Sequence, residues 1–198
     1  MPEFTTRDPR TPGFWDERFE HDFTPWDFKG VPQALRDFVA RDSALRTVLI
    51  PGCGNGYELV CLSEAGWDAT AIDFSPAAVS RARAKVGPWA ARVAQADFFA
   101  WQPRQALDLI YERAFLCALP PAMRPQVAAR WAELLAPGRE LAGFFFFGTA
   151  PKGPPFGIAR AELEALLTPH FELIEEGAVV DSLPVFAGQE RWMVWRRR

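Results

Sequence analysis

A glycine-rich loop at residues 52–56 is the feature whose residue types and spacing point most clearly to chemistry. It follows the apolar run at residues 48–50 and a proline, and its glycines stand at alternate positions in PGCGNGYE. Glycines at such a point permit positive φ angles and let the backbone approach a ligand closely. The helix predicted after the loop adds free N–H groups and the positive end of its dipole. The loop therefore indicates a ligand site, although a simple tight turn would also use glycine.

The spacing of the glycines distinguishes between the possible ligands. A dinucleotide site has the pattern G-x-G-x-x-G, and Tyr57 occupies its third glycine position here. A P-loop is excluded because no Gly-Lys-Ser/Thr follows. Gly52, Gly54 and Gly56 suit a smaller ligand without phosphates, and S-adenosylmethionine fits. Cys53 lies inside the loop, but no histidine partner is visible in the sequence, so we interpret it as a small loop residue.

Two acidic residues follow predicted strands at positions where a nucleoside would bind. Asp73, followed by Phe74, ends the second predicted strand, and a carboxylate there can accept ribose hydroxyl protons. Helix capping is the alternative for Asp73, but Ser75 already has the position of that cap. Asp97 follows the third predicted strand, where it could contact an adenine amino group while Phe98 packs on the ring. A turn aspartate above core phenylalanines is the alternative there.

The elements that must position these residues alternate along the chain. We predict strands at residues 46–50, 67–73, 91–99, 107–112, 140–147, 171–180 and 191–196. Helices are predicted at residues 56–66, 75–86, 121–138 and 158–169. Alternation of this kind is typical of an α/β fold with a doubly wound parallel sheet. The last two strands have no helix between them, which predicts a terminal hairpin and one antiparallel strand.

The whole chain of 198 residues is expected to form a single domain. Residues 1–41 form an N-terminal arm and helical lid in this prediction, and residues 42–198 form the Rossmann-like core. The helix that follows Pro32 has the proline at its start.

Composition and charge exclude several classes of function. The net charge is −3 and the only basic run is the terminal Arg196 to Arg198, so we expect no nucleic-acid partner. The three cysteines have no CxxC spacing and only His21 and His170 could join them, so neither a metal site nor a disulfide framework is expected. No apolar run approaches the roughly 20 residues of a membrane helix, and the polar N-terminus is unlike a signal peptide. The expected location is cytoplasmic, without a membrane partner.

Several motifs together resemble the thiopurine S-methyltransferase family and the related thiol and halide methyltransferases. They are IPGCGNGYE, AIDFS, ADFF, YERAFLCALPP and GPPF, in this order, together with FWDERFEHDFTPWDFKGVPQAL near the N-terminus. The resemblance covers the chain from about Phe14 to the last strand. It implies a seven-stranded methyltransferase sheet whose last strand is antiparallel, with S-adenosylmethionine as cofactor, S-adenosylhomocysteine as product and no metal.

The resemblance also implies roles for individual residues. Cofactor contacts would fall on Trp15 and Trp26 from the lid, and on the following residues of the core: Gly52, Cys53, Gly54, Gly56, Asp73, Phe74, Asp97, Phe98 and Arg113. Trp15 and Trp26 are also typical core residues, so packing is their alternative role. Pro137-Gly138-Arg139 departs from the glycine pair usual in the family before the fifth strand. Arg113 resembles the thiopurine branch, whereas TPWD and FLCAL resemble the thiol and halide branch.

Methyl transfer from a sulfonium needs alignment of the reacting atoms more than it needs a base. Arg113 is expected to attract an anionic acceptor, with a salt bridge to Glu112 or another nearby acid as the alternative. Glu112 is a candidate base if burial raises its pKa. Phe156, in GPPF, is expected to shape the acceptor pocket or simply to pack.

The predicted function is transfer of a methyl group to the sulfur of a small-molecule thiol or thiopurine-like heterocycle. Halides and selenium or tellurium oxyanions are alternative acceptors. An NAD-dependent oxidoreductase and a non-catalytic S-adenosylmethionine-binding protein remain as alternatives of other classes. We expect a monomer rather than an oligomer.

Overall fold

A mixed seven-stranded sheet lies at the centre of the computed structural model, which describes residues 3–148 and 152–198. The strands are β1 (Thr47–Pro51), β2 (Asp68–Asp73), β3 (Val93–Gln95), β4 (Leu107–Arg113), β5 (Leu135–Phe146), β6 (Phe171–Ala178) and β7 (Glu190–Arg197). The α-helices are α1 (Pro12–Glu20), α2 (Gln33–Arg41), α3 (Tyr57–Glu64), α4 (Pro76–Lys85), α5 (Arg124–Leu134) and α6 (Arg160–Leu167). Short 3₁₀ helices lie at Gly87–Arg92, Leu116–Ala118 and Pro121–Met123.

The strand order β3-β2-β1-β4-β5-β7-β6 is that of a doubly wound sheet. Strands β1 to β5 pair in parallel, and β7 runs antiparallel to both β5 and β6. This confirms the predicted fold class and its antiparallel last strand. The order changes direction between β1 and β4, and ligands of such sheets bind beyond the carboxyl ends of the strands at that point. The glycine loop follows β1 directly.

Helices cover both faces of the sheet. Helices α5 and α6 pack on one face, where Trp131 and Leu163 are fully buried. Helices α2, α3 and α4 pack on the other face, with Leu35 and Leu59 among the buried residues. Burial from both sides explains why the end of β5 is apolar without alternation, since Leu141 to Phe146 are all buried.

Two predicted elements differ from the structure. The strand predicted at 91–99 is shorter in the structure, where only β3 is extended. Residues 87–92 form a 3₁₀ helix before it. After it, Asp97 begins a turn in which its carboxylate accepts the N–H of Phe99. The helix predicted at 121–138 ends at Leu134. Leu135 then adopts an extended conformation and pairs with Leu107, and Pro137 with Gly138 could not continue a helix.

The N-terminal segment, residues 3–32, is anchored to the core through α1. The Asp16 carboxylate accepts hydrogen bonds from the Ser75 hydroxyl (2.6 Å) and the Ala77 N–H (3.0 Å) at the start of α4. The Trp15 indole N–H donates to the Pro9 carbonyl at 2.8 Å, which holds the residues before α1 against it. In the described part of the chain, none of the helices has the length and apolar character required to cross a membrane.

Candidate functional site

The glycine loop is built from left-handed backbone that only glycine adopts readily. Gly52, Gly54 and Gly56 have φ angles of 60°, 53° and 75°. A Cβ on Gly52 would lie 2.8 Å from the Phe115 ring, and one on Gly56 would lie 2.9 Å from Val86. Backbone conformation therefore requires all three glycines, and close packing also requires Gly52 and Gly56.

Asp73 ends β2 beside this loop, as the sequence predicted. Its carboxylate accepts the N–H of Gly54 at 3.1 Å and the N–H of Ser75 at 3.0 Å. The Ser75 hydroxyl in turn accepts the N–H of Ala78, so Ser75 is the helix cap. Burial raises the pKa of Asp73 to about 6, although the two N–H donors oppose this shift. The carboxylate is ionised at neutral pH and ready to accept hydrogen bonds.

A cavity of about 660 Å³ opens at this end of the sheet and brings most of the predicted site residues together. Ten of them line it: Trp15, Trp26, Gly52, Cys53, Gly54, Asp73, Phe74, Asp97, Phe98 and Arg113. Gly56, Glu112 and Phe156 are not among its lining residues. The cavity is large enough for a nucleoside-sized ligand together with a small second molecule.

Aromatic side chains of the N-terminal segment form one wall of the cavity. Trp15 and Trp26 meet edge to face with ring centroids 5.4 Å apart, and Phe19 packs against Trp26 at 6.1 Å. The Asn55 amide donates a 2.6 Å hydrogen bond to the Asp27 carboxylate and so ties this wall to the glycine loop. The π faces of these indoles suit a cationic group.

Asp97 and Phe98, the residues predicted to contact an adenine, also line the cavity. Asp97 accepts the N–H of Phe99 through its own carboxylate, and Phe98 packs edge to face on Phe115 with centroids 5.0 Å apart. Both the turn role and the cavity-lining position considered for Asp97 are therefore present. Burial raises the pKa of the Cys53 thiol well above its usual value, and the charges of Asp73 and Glu58 add to this, so the thiol stays protonated.

Glu112 does not take the place expected for a candidate base. Its carboxylate accepts the N–H groups of Phe115 and Leu116 at 3.3 Å and holds the turn after β4. Burial raises its pKa to about 8, but successive residues of a strand point to opposite faces, and Arg113 takes the cavity side. Phe156, which was expected to shape the acceptor pocket, does not line the cavity. Its backbone N–H donates a hydrogen bond to the Cys117 carbonyl.

Arg113 pairs with Glu58 and not with Glu112. The Nε of Arg113 lies 3.8 Å from a Glu58 carboxylate oxygen, and the guanidinium lies over the rings of Phe28 (5.1 Å) and Phe144 (4.8 Å). Its buried Nη1 has no hydrogen-bond partner among the described residues. Glu58 was not among the predicted site residues, because an acidic residue in the first turn of a helix is normally explained by the helix dipole.

A comparison with protein families identifies the family to which this chain belongs. The family described as Thiopurine S-methyltransferase (TPMT) matches this chain over residues 10–198. The chain belongs to the thiopurine S-methyltransferase family. This confirms the resemblance and the predicted enzyme class, and the family match begins within the N-terminal segment.

Individual methyltransferases are also similar to this chain. The probable thiol methyltransferase 2 of Arabidopsis thaliana is 34% identical over 178 residues, which cover 86% of this chain and 77% of the plant protein. Thiocyanate methyltransferase 1 of the same plant is 30% identical over 192 residues, covering 93% and 85%. The 1,6-didemethyltoxoflavin-N1-methyltransferase of Burkholderia thailandensis, solved with S-adenosylhomocysteine, shares the fold with a TM-score of 0.73 at 18% identity, covering 99% and 93% of the two chains.

Among the described residues, no group of three or more His, Cys, Asp or Glu side chains is placed to hold a metal ion.

Proposed function

We propose that this member of the thiopurine S-methyltransferase family uses S-adenosylmethionine to methylate the sulfur of a small thiol or thiopurine-like heterocycle. One observation carries the proposal. The Asp73 carboxylate, held by the N–H groups of Gly54 and Ser75, lines the cavity to which the N-terminal segment also contributes side chains. A carboxylate at the end of the second strand of such a sheet is the usual acceptor for ribose hydroxyls.

The residues of the cavity fit the parts of this cofactor. Asp73 would hold the ribose, and Asp97 with Phe98 would hold the adenine at the neighbouring strand end. Gly52 and Gly54 line the cavity, and their backbone, which carries no side chains, can approach the amino-acid tail of the cofactor closely. When bound, the cofactor supplies a methyl group that its sulfonium sulfur has already activated for displacement.

The chain itself must position the acceptor and exclude water. Trp15 and Trp26 would cover the sulfonium, where their π faces favour a cation and their bulk keeps solvent out. Arg113 would attract the acceptor, because its Nη1 lies buried on the cavity side without an acceptor atom among the described residues. Correct alignment of nucleophile, methyl and leaving sulfur provides most of the acceleration in such a displacement.

Halides and other small anions are a second class of acceptor. The same unpartnered guanidinium nitrogen favours them, because an anion arrives ready to react and needs no proton removed. A relative of the chain carries the name thiocyanate methyltransferase, which supports testing inorganic anions beside thiols.

We also propose that the chain acts as a monomer on a small molecule, since one chain supplies every wall of the cavity described above.

Isothermal titration with S-adenosylmethionine, S-adenosylhomocysteine and NADH tests the cofactor. We expect both adenosyl compounds to bind the wild-type protein, and Asp73→Asn to weaken that binding at least tenfold. Asp37→Asn makes the same change on the exposed side of α2 and should leave it unchanged. Binding of NADH alone would overturn the proposal in favour of an oxidoreductase.

Turnover is tested by following S-adenosylhomocysteine formation with a panel of thiols, thiopurines, thiocyanate and iodide. Product from any sulfur acceptor supports the proposed activity. Tight adenosyl binding without product across the whole panel would identify a binding protein instead.

A further inference from the structure

Glu58 is a buried acid on the acceptor side of the cavity. It lies in the first turn of α3, is only 9% exposed and lines the same cavity as Arg113. Its carboxylate oxygen lies 3.8 Å from the Arg113 Nε, which is an ion-pair distance but longer than a hydrogen bond. The pair is therefore loose, and a small acceptor could enter beside it.

The groups around Glu58 come from three other elements. Arg113 and Tyr111 face it from β4, Asp27 from the N-terminal segment, and Cys53 from the glycine loop. The Tyr111 hydroxyl is buried beside the Arg113 guanidinium, and burial raises its pKa well above the usual value. Tyr111 is thus a neutral donor, Arg113 a permanent cation, and Glu58 an acceptor.

The other acids near the cavity are already engaged or lie elsewhere. Asp73 is held by the glycine loop, and Asp27 accepts hydrogen bonds from Asn55 and from the Lys29 N–H. Glu112 is turned toward the backbone after β4. Glu190 does not line this cavity but a separate pocket of about 10 Å³ that Arg113 also lines. Glu58 has no hydrogen bond from another side chain within the described residues.

Resting on the proposed function, we propose that Glu58 is the proton acceptor for neutral thiols and that it thereby distinguishes thiols from inorganic anions as substrates. The thiol S–H bond breaks and its proton forms an O–H bond on the Glu58 carboxylate. The electron pair left on sulfur then forms the new bond to the methyl carbon, while the carbon's old bond breaks and its pair stays on the leaving sulfur. The proton later passes to solvent.

Conservation of charge lowers the cost of this step in a buried site. Before proton transfer, Arg113 faces a carboxylate. Afterwards it faces a thiolate, so the ion pair at Arg113 keeps one cation and one anion throughout. Burial raises the pKa of Glu58 and brings it closer to that of a thiol, with the Arg113 charge opposing the shift. The thiolate, which is the reactive form of sulfur, is then generated directly against Arg113.

For an acceptor that is already an anion, an ionised Glu58 beside Arg113 is a disadvantage. Thiocyanate or iodide needs no base, and an ionised Glu58 competes with it for Arg113 and repels it. Removing the charge of Glu58 should therefore harm thiol methylation and leave anion methylation intact or improved.

Glu58→Gln provides the test, because glutamine keeps the shape and removes both charge and basicity. Its matched control is Glu64→Gln, which makes the same change at an exposed position at the end of α3. Both variants and the wild type are assayed for S-adenosylhomocysteine formation at neutral pH with 2-mercaptoethanol and with thiocyanate. We expect Glu58→Gln to lower kcat/KM for the thiol by roughly 100-fold or more and to preserve or raise it for thiocyanate.

A pH series provides a readout that a structural role would not change. The thiol deficit of Glu58→Gln should shrink as the pH approaches the thiol's own pKa, because the acceptor then arrives as thiolate. An equal loss with both acceptors, or a deficit that persists at every pH, would overturn the role of Glu58 while leaving the methyltransferase activity of the wild type in place. Failure of the wild type to turn over either acceptor would overturn the proposed function and this inference together.

Discussion

The side-chain amide of Asn55 donates a 2.6 Å hydrogen bond to the carboxylate of Asp27. Asn55 belongs to the glycine loop and Asp27 to the TPWD motif, so this bond links the glycine loop to the wall formed by Trp15 and Trp26. The Asn55 side chain is buried. Hydrogen bonds from a neutral donor to a charged acceptor contribute about 1.5–3 kcal/mol when they are formed away from water.

Removal of this link should loosen the N-terminal segment. In Asn55→Ala we expect faster amide hydrogen exchange across residues 12–28 and a loss of about 3- to 30-fold in affinity for S-adenosylhomocysteine. Exchange in β1 and β4 should stay unchanged. Gln102→Ala, which removes an amide at an exposed position, serves as the control. Unchanged exchange in the segment would mean that the Asp16 contacts alone hold it.

Alanine substitutions at Gly52 and Gly87 can distinguish the cost of backbone strain from the cost of steric overlap. Both have positive φ, 60° and 56°, but a Cβ on Gly52 would meet the Phe115 ring at 2.8 Å, whereas one on Gly87 meets nothing within 4 Å. We expect Gly87→Ala to lower the free energy of unfolding by about 1 kcal/mol and Gly52→Ala by about 2–4 kcal/mol. Urea unfolding measures both, and equal losses would contradict the packing argument.

Ligand affinity should depend on pH through Asp73. Burial raises the pKa of this carboxyl to about 6 in the free protein, and a ribose hydroxyl donor favours the ionised form. Affinity for S-adenosylhomocysteine should therefore be constant above pH 7 and fall as the pH drops through 6, approaching about tenfold per unit. Titration calorimetry between pH 5 and 8 measures this. His21→Gln should keep the profile and Asp73→Asn should flatten it.

The stability of the fold should depend on pH through Glu112. Burial raises the pKa of Glu112 from 4.5 to about 8 in the folded protein, so the folded state binds the proton more tightly than the unfolded state. Its contribution to stability is complete below pH 4.5 and is lost as the pH rises through about 8. We expect Glu112→Gln to remove this part of the decline, on the order of 5 kcal/mol over that range. Urea unfolding at pH 5 and pH 9 measures this. The prediction would be contradicted if the free energy of unfolding changed equally between the two pH values in the wild type and in Glu112→Gln.

Local patterns predicted most of the scaffold. The alternation of strands and helices, the cap at Ser75 and the apolar run of β5 each depend on residues close together in sequence, and each is present in the structure. The error at the end of α5 occurred where a distant partner decides the conformation. Leu135 is extended because Leu107 pairs with it, and nothing near Leu135 in sequence shows that neighbour.

The sequence by itself determined the family, the doubly wound sheet, the glycine loop and the position of Asp73, because these follow from short motifs and from the period of apolar residues. Only the tertiary structure decided how the charges at the acceptor side are arranged. Arg113 follows Glu112 directly, yet alternation along β4 separates them, and the packing of α3 against the sheet places Glu58 beside Arg113. Two residues far apart in sequence meet because the core packs around them, and no local pattern encodes that contact.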